Sequence, residues 1–110
     1  MRKGTVVLVP FPFTDLSGNK VRPCLVLYEQ KNGNGEDCIV SFISSVKPGK
    51  GSLDINLPAT TKNGLKVDSW IKIEKIATLQ KKIFLGELGT VDQETLKKVS
   101  ASLKKIFQLT

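Results

Sequence analysis

The sequence predicts a mainly β protein closed by one C-terminal α-helix, and two patterns carry that expectation. Over the first 90 residues, short runs rich in β-branched residues alternate with Gly-, Pro- and Asn-containing breaks, as strands and turns do. Near the C-terminus the period changes, with Leu96, Val99, Leu103, Ile106 and Phe107 recurring at three- and four-residue spacing. Several short strands and a terminal helix within 110 residues suggest a small, strongly bent antiparallel sheet or barrel with the helix packed on it. At this length one domain spanning 1–110 is expected.

The elements follow in order. Residues 5–9 form a β-branched run that should end at Pro10, because proline cannot donate to a ladder. Residues 14–19 read as a loop by composition, and 21–28 as a second strand with Pro23 near its start. Asn32, Gly33, Asn34 and Gly35 signal a turn into a third strand over 38–43. After a loop at 48–51, Leu53, Ile55 and Leu57 alternate with Asp54 and Asn56, the pattern of a half-buried strand. Residues 69–78 read as a further strand. Asp92 suits the N-cap of the helix, with Glu94 in its first turn and Lys104 and Lys105 in its last, each placed to complement the helix dipole.

Composition narrows the chemistry. Forty per cent hydrophobic and 25% charged residues are ordinary globular values, which argues against global disorder. There is no histidine, so imidazole acid–base catalysis, His-activated nucleophiles and His-ligated metals are excluded. Cys24 and Cys38 lie in apolar, strand-like contexts with no C-x-x-C spacing, and are expected to be buried free thiols in a reducing cytoplasm. No membrane span is expected, since the apolar stretch 6–13 has eight residues, two of them proline. No signal peptide is expected either, because Thr14 and Asp15 follow that stretch at once. The net charge of +7 favours an anionic partner. The first 55 residues contribute +2 and the remaining 55 +5, so much of the excess falls on the terminal helix and its approach.

Few residues stand out as chemical candidates. Arginine occurs twice against fifteen lysines, and Arg22 sits between a loop and an apolar strand. A planar, multi-donor fork there suits a phosphate or carboxylate, with a structural salt bridge as the alternative. Ser44 and Ser45 close the third strand, where turn capping competes with ligand binding. In the strand from Ser69, alternation places Ile71 and Ile73 on one face and Trp70, Lys72 and Glu74 on the other, with Lys72 and Glu74 about 7 Å apart at Cα. Such a face can act on one ligand beside a stacking ring, or be a solvated surface with a weak charge pair.

The segment from Gly4 to Leu27 resembles the N-terminal signature of the PemK/MazF-like toxins: an apolar strand, Pro10-Phe11-Pro12-Phe13, a polar loop, and Arg22-Pro23 entering a second apolar strand. Downstream, Ile43-Ser44-Ser45 is similar to the family's Ile/Val-Thr-Ser. Ser69-Trp70-Ile71-Lys72-Ile73-Glu74, with Thr78-Leu79 beyond it, is similar to its basic–acidic strand, and Leu88-Gly89 with the closing helix to its C-terminus. The resemblance implies an SH3-like barrel, a homodimer, and a metal-independent, cofactor-free, sequence-selective endoribonuclease neutralised by a cognate antitoxin. It places Arg22, Ser44, Lys72 and Glu74 at the active-site positions. Four departures accompany it: Thr5 replaces a common acidic residue after the first glycine, Ser44 replaces a threonine, Lys72 stands where some members carry arginine, and the loop before Arg22 offers Asp15 and Lys20 in place of a histidine or glutamate.

The implied chemistry is attack by the ribose 2′-hydroxyl on the adjacent phosphate, giving a 2′,3′-cyclic phosphate and a 5′-hydroxyl. Arg22 and Ser44 would hold the phosphate, Glu74 would act as base and Lys72 as acid. Lys20, Ser45, Lys47, Lys50 and Trp70 would contact the rest of a single-stranded RNA. Two other functions fit the same pattern: a catalytically weakened RNA-binding domain, and a gyrase-type protein-binding poison on the same fold.

Overall fold

The computed structural model describes residues 2–11, 20–31 and 35–109. Among them are strands β1 (Thr5–Phe11), β2 (Lys20–Glu29), β3 (Asp37–Ser44), β4 (Ile55–Leu57), β5 (Ser69–Gln80) and β6 (Gly86–Thr90), followed by helix α1 (Gln93–Phe107). The strands form one antiparallel sheet in the order β4-β5-β3-β2-β1-β6, curled into a half-barrel. The loop expected at 14–19 and most of the turn expected at 32–35 lie outside the described residues.

Both strand prolines sit where only one neighbour pairs. β1 continues through Pro10 to Phe11, but its pairing with β6 stops at Leu8, so Pro10 faces β2 alone. Pro23 faces β1, one step past the last β2–β3 pair, Cys24 with Phe42. A missing N–H is tolerated at such half-edges. β6 has no counterpart in the sequence reading. Its segment Gly86-Glu87-Leu88-Gly89-Thr90 has weak strand propensity, and pairing to the free edge of β1 makes it a strand.

The two faces of the sheet bury separate clusters. Val6, Leu25, Ile43, Ile55, Leu57, Ile71 and Ile73 join Val91 and Val99 beneath α1, while Val7, Val9, Cys24, Val26, Cys38, Val40 and Leu79 fill the other face. Cys24 and Cys38 are free and fully buried. Fully burying one of the Val, Leu or Ile side chains of these clusters contributes about 1.5–3 kcal/mol relative to leaving it exposed. Helix α1 begins where expected, with the Asp92 carboxylate accepting from the Thr95 N–H at 2.8 Å. Leu96, Leu103 and Ile106 pack on the first cluster, but Phe107, expected on the same stripe, is 56% exposed. It follows Ile106 directly and therefore lies about 100° further round the helix.

Candidate active site

The site grows out of strand register. Cross-strand partners share a face, so Cys24 on β2, Phe42 on β3 and Lys72 on β5 form one row across the sheet. Arg22 and Ser44 lie two residues beyond Cys24 and Phe42, and so belong to the same face one row along. The β4–β5 ladder pairs Ile55 with Ile71; one further step sets Asp54 against Lys72. Arg22, Ser44, Lys72 and Asp54 all line one cleft of about 1160 Å³, walled also by the loops at 45–52 and 64–67.

Each group is held differently. The exposed Arg22 places its guanidinium carbon 5.9 Å from the centre of the Phe11 ring, which meets Phe42 edge to face at 6.2 Å. This cation–π contact supports the planar fork while leaving its N–H donors available, and among the described residues no carboxylate pairs with it. The Ser44 Oγ accepts from the Val46 N–H at 3.1 Å. It thus caps the turn as the bland alternative expected, while its own O–H can still donate into the cleft. The Lys72 Nζ lies 3.1 Å from the Asp54 Oδ2 and donates to the Val46 carbonyl at 2.9 Å. Two of its three hydrogens are thereby engaged and one remains.

The cleft wall holds five basic side chains (Arg22, Lys47, Lys66, Lys72 and Lys75) against the single carboxylate of Asp54 among the described residues. Ser45 and Lys47, expected as ligand contacts, are in the wall; Lys20, Lys50, Trp70 and Glu74 are not. The expected side-by-side placement of Lys72 and Glu74 is altered by the register. Phe42 pairs with Lys72 but Ser41 pairs with Ile76, so β5 bulges over residues 73–75. Lys75 lines the cleft, and Glu74 is exposed outside it. A bulge re-aims side chains in this way, and simple alternation does not reveal it. Asp54, Lys66 and Lys75 were not singled out from sequence. Asp54 did fall on the polar side of the Leu53–Ile55–Leu57 alternation, the one signal pointing to it. Among the described residues no three Asp, Glu or Cys side chains converge as a metal site would require.

Comparison with known proteins agrees with this architecture. Residues 2–107 match the family model described as PemK-like, MazF-like toxin of type II toxin–antitoxin system. The chain belongs to the PemK/MazF-like toxin family. No curated protein matches it. Among solved structures it is similar in fold to the Mycobacterium tuberculosis toxin MazF-mt6, with a TM-score of 0.75 at 15% identity, covering 94% of this chain and 96% of that one. A mycobacterial endoribonuclease in complex with its cognate antitoxin gives 0.73 at 15% identity, covering 98% and 93%. A MazE–MazF structure from Deinococcus radiodurans gives 0.71 at 19%, covering 96% and 92%. The mostly β half-barrel with its C-terminal helix is thus the fold of MazF toxins. Among the described residues no helix is long and apolar enough to cross a membrane.

Proposed function

We propose that this toxin, acting as one domain over residues 1–110, is a sequence-selective endoribonuclease of the mRNA interferase type, working in the cytoplasm as a homodimer and restrained by a cognate antitoxin. The observation that carries this reading is the convergence of Arg22, Ser44 and Lys72 on one basic cleft. The Arg22 fork binds the non-bridging oxygens of the scissile phosphate, where negative charge grows as the 2′-hydroxyl attacks. The Ser44 O–H donates to the same phosphate. Lys72, with one N–H uncommitted, protonates the leaving 5′-oxygen. Lys47, Lys66 and Lys75 track the RNA backbone from the cleft wall, with Ser45 beside them; Lys20, Lys50 and Trp70 lie outside the wall and serve an RNA longer than the cleft. The 2′-hydroxyl proton also needs an acceptor, and Glu74, which the family pattern assigns to that task, lies outside the cleft wall.

An antitoxin suits the same surface. Val21, Val46 and Val67, between 45% and 68% exposed, rim the basic cleft, a pattern complementary to a segment mixing acidic and apolar residues. Two of the similar structures are described as toxin–antitoxin complexes, which supports a partner of that kind.

The test is incubation of the purified protein with a long RNA of mixed sequence in EDTA, followed by mapping of the ends. Expected are cuts at one short motif, 2′,3′-cyclic phosphate and 5′-hydroxyl termini, and full resistance when the scissile nucleotide is 2′-deoxy. Cleavage of the deoxy substrate or a need for magnesium would overturn the mechanism. Binding without cuts would mark a catalytically weakened RNA-binding domain.

A further inference from the structure

The cleft supplies a carboxylate that the family pattern does not assign. Asp54 sits one step past the β4–β5 ladder, with its backbone N–H bonded to the Ser52 Oγ at 2.9 Å. Its side chain is 12% exposed, and that of Lys72 is 18% exposed, so the pair is largely shielded yet borders the cleft. Arg22 and Ser44 stand on β2 and β3, and Lys72 and Asp54 on β5 and the approach to β4, so two adjacent rows of one face run from a phosphate grip to an acid–base pair across four neighbouring chain segments. With strands about 4.8 Å apart, the backbones of Arg22 and Lys72 are about two spacings, or roughly 10 Å, apart, a gap that two long side chains can close on one phosphate.

Building on the nuclease reading, we propose that Asp54, not Glu74, is the general base, and that its contact with Lys72 forms a closed proton circuit. The Asp54 carboxylate takes the proton from the 2′-hydroxyl as the O2′–P bond forms. The P–O5′ bond breaks, and the Lys72 ammonium gives its proton to O5′. The apical oxygens of the intervening phosphorane lie on either side of phosphorus at a spacing that groups 3.1 Å apart can bridge, the carboxylate reaching the attacking oxygen and the ammonium the leaving one. After the step Asp54 is a carboxylic acid beside a neutral Lys72 amine. Direct transfer of the proton between them restores the ion pair, so each turnover is balanced without a metal or a relay through solvent.

The experiment compares an RNA oligonucleotide carrying the mapped cleavage motif with the same oligonucleotide bearing sulfur in place of the bridging 5′-oxygen. A thiolate leaves without protonation, so the sulfur substrate removes the need for an acid but keeps the need for a base. On the oxygen substrate both Asp54→Asn and Lys72→Met should lose about a hundredfold or more in rate. On the sulfur substrate Lys72→Met should recover to near wild type while Asp54→Asn stays slow. Asp54→Glu, which keeps the carboxylate, should cleave the oxygen substrate faster than Asp54→Asn. Folding of each variant is checked by thermal unfolding and by binding of the 2′-deoxy oligonucleotide. Recovery of Asp54→Asn alongside Lys72→Met would reduce Asp54 to a positioning residue and overturn the proposal. Equal loss in Asp54→Glu and Asp54→Asn, or wild-type rates in Asp54→Asn, would overturn it too. A wild-type protein that leaves RNA intact would instead remove the nuclease reading itself, and this proposal with it.

Discussion

The buried hydroxyl of Ser41 donates to the main-chain carbonyl of Lys72 at 2.8 Å, at the point where β5 bulges away from β3. Lys72 is the last regular pair, with Phe42, before the register breaks, and the Ser41 hydroxyl adds a side-chain bond to its carbonyl there. Ser41→Ala should therefore cost about 0.5–1.5 kcal/mol, the net contribution of one such hydrogen bond. Because the same bond fixes the Lys72 backbone, the cleavage rate at saturating RNA should fall while binding of a 2′-deoxy oligonucleotide changes little. Denaturant unfolding and single-turnover kinetics check the two halves.

Arg22 is exposed and unpaired among the described residues, so truncating it should leave the fold intact. Arg22→Ala should lower cleavage about 10²–10³-fold, the scale of a lost oxyanion donor, with an unchanged melting temperature. Arg22→Lys should remain well below wild type, because an ammonium cannot reproduce the planar fork. Near-normal cleavage by Arg22→Ala would mean that the arginine does not touch the phosphate.

Gly89 pairs with Val6 and approaches the loop leading to the cleft so closely that an added methyl would fall on the Lys62 carbonyl oxygen and the Asn63 backbone. Those atoms are main chain and held by bonds such as Thr90 N–H to the Lys62 carbonyl at 2.9 Å. Gly89→Ala should destabilise the protein by about 1–3 kcal/mol, as overpacking does. Gly49→Ala, whose methyl meets nothing, is the control and should be near neutral. Chemical denaturation compares them.

The Cys24 thiol is pushed up to about 12 by burial, and burial is also the main cause raising Cys38. Thiolates are the reactive form, so neither cysteine should react with a disulfide reagent at pH 8 while the protein is folded. Both should titrate at once in guanidinium. Rapid labelling of the native protein would show that the cluster around them opens.

The Thr95 backbone N–H holds the Asp92 carboxyl below its ordinary value of 3.8. A depressed acid stabilises the folded state above its unfolded pKa, and loses that contribution as pH falls through the folded one. The gap in melting temperature between wild type and Asp92→Ala should be constant above about pH 5 and shrink below 3.8. Asp92→Asn keeps the cap without the titration, so it should show no such change. Melting curves across pH decide it.

What the sequence determined by itself was local. The β-branched runs became β1, β2, β3 and β5, the Leu53–Ile55–Leu57 alternation became β4, and the apolar period with Asp92 at its head became α1, because each pattern is written in neighbouring residues. Arg22, Ser44 and Lys72 were legible for the same reason, as unusual residue types at strand ends or on a polar strand face, reinforced by the family's motif order. Tertiary structure decided the rest. β6, rich in glycine, is a strand through the open edge of β1, which no local propensity encodes. The Ile73–Lys75 bulge turns Lys75 toward the cleft and leaves Glu74 outside it, and the buried Ser41, 31 positions before Lys72, bonds the strand where the bulge begins. The pairing of Lys72 with Asp54 rests on a register set across the 58–68 connection, whose turn geometry composition does not specify. Period and propensity act over a few neighbours, whereas a cleft is assembled by register between distant strands; the chain therefore announced its class and its cationic candidates, and only the folded sheet set Asp54 beside Lys72.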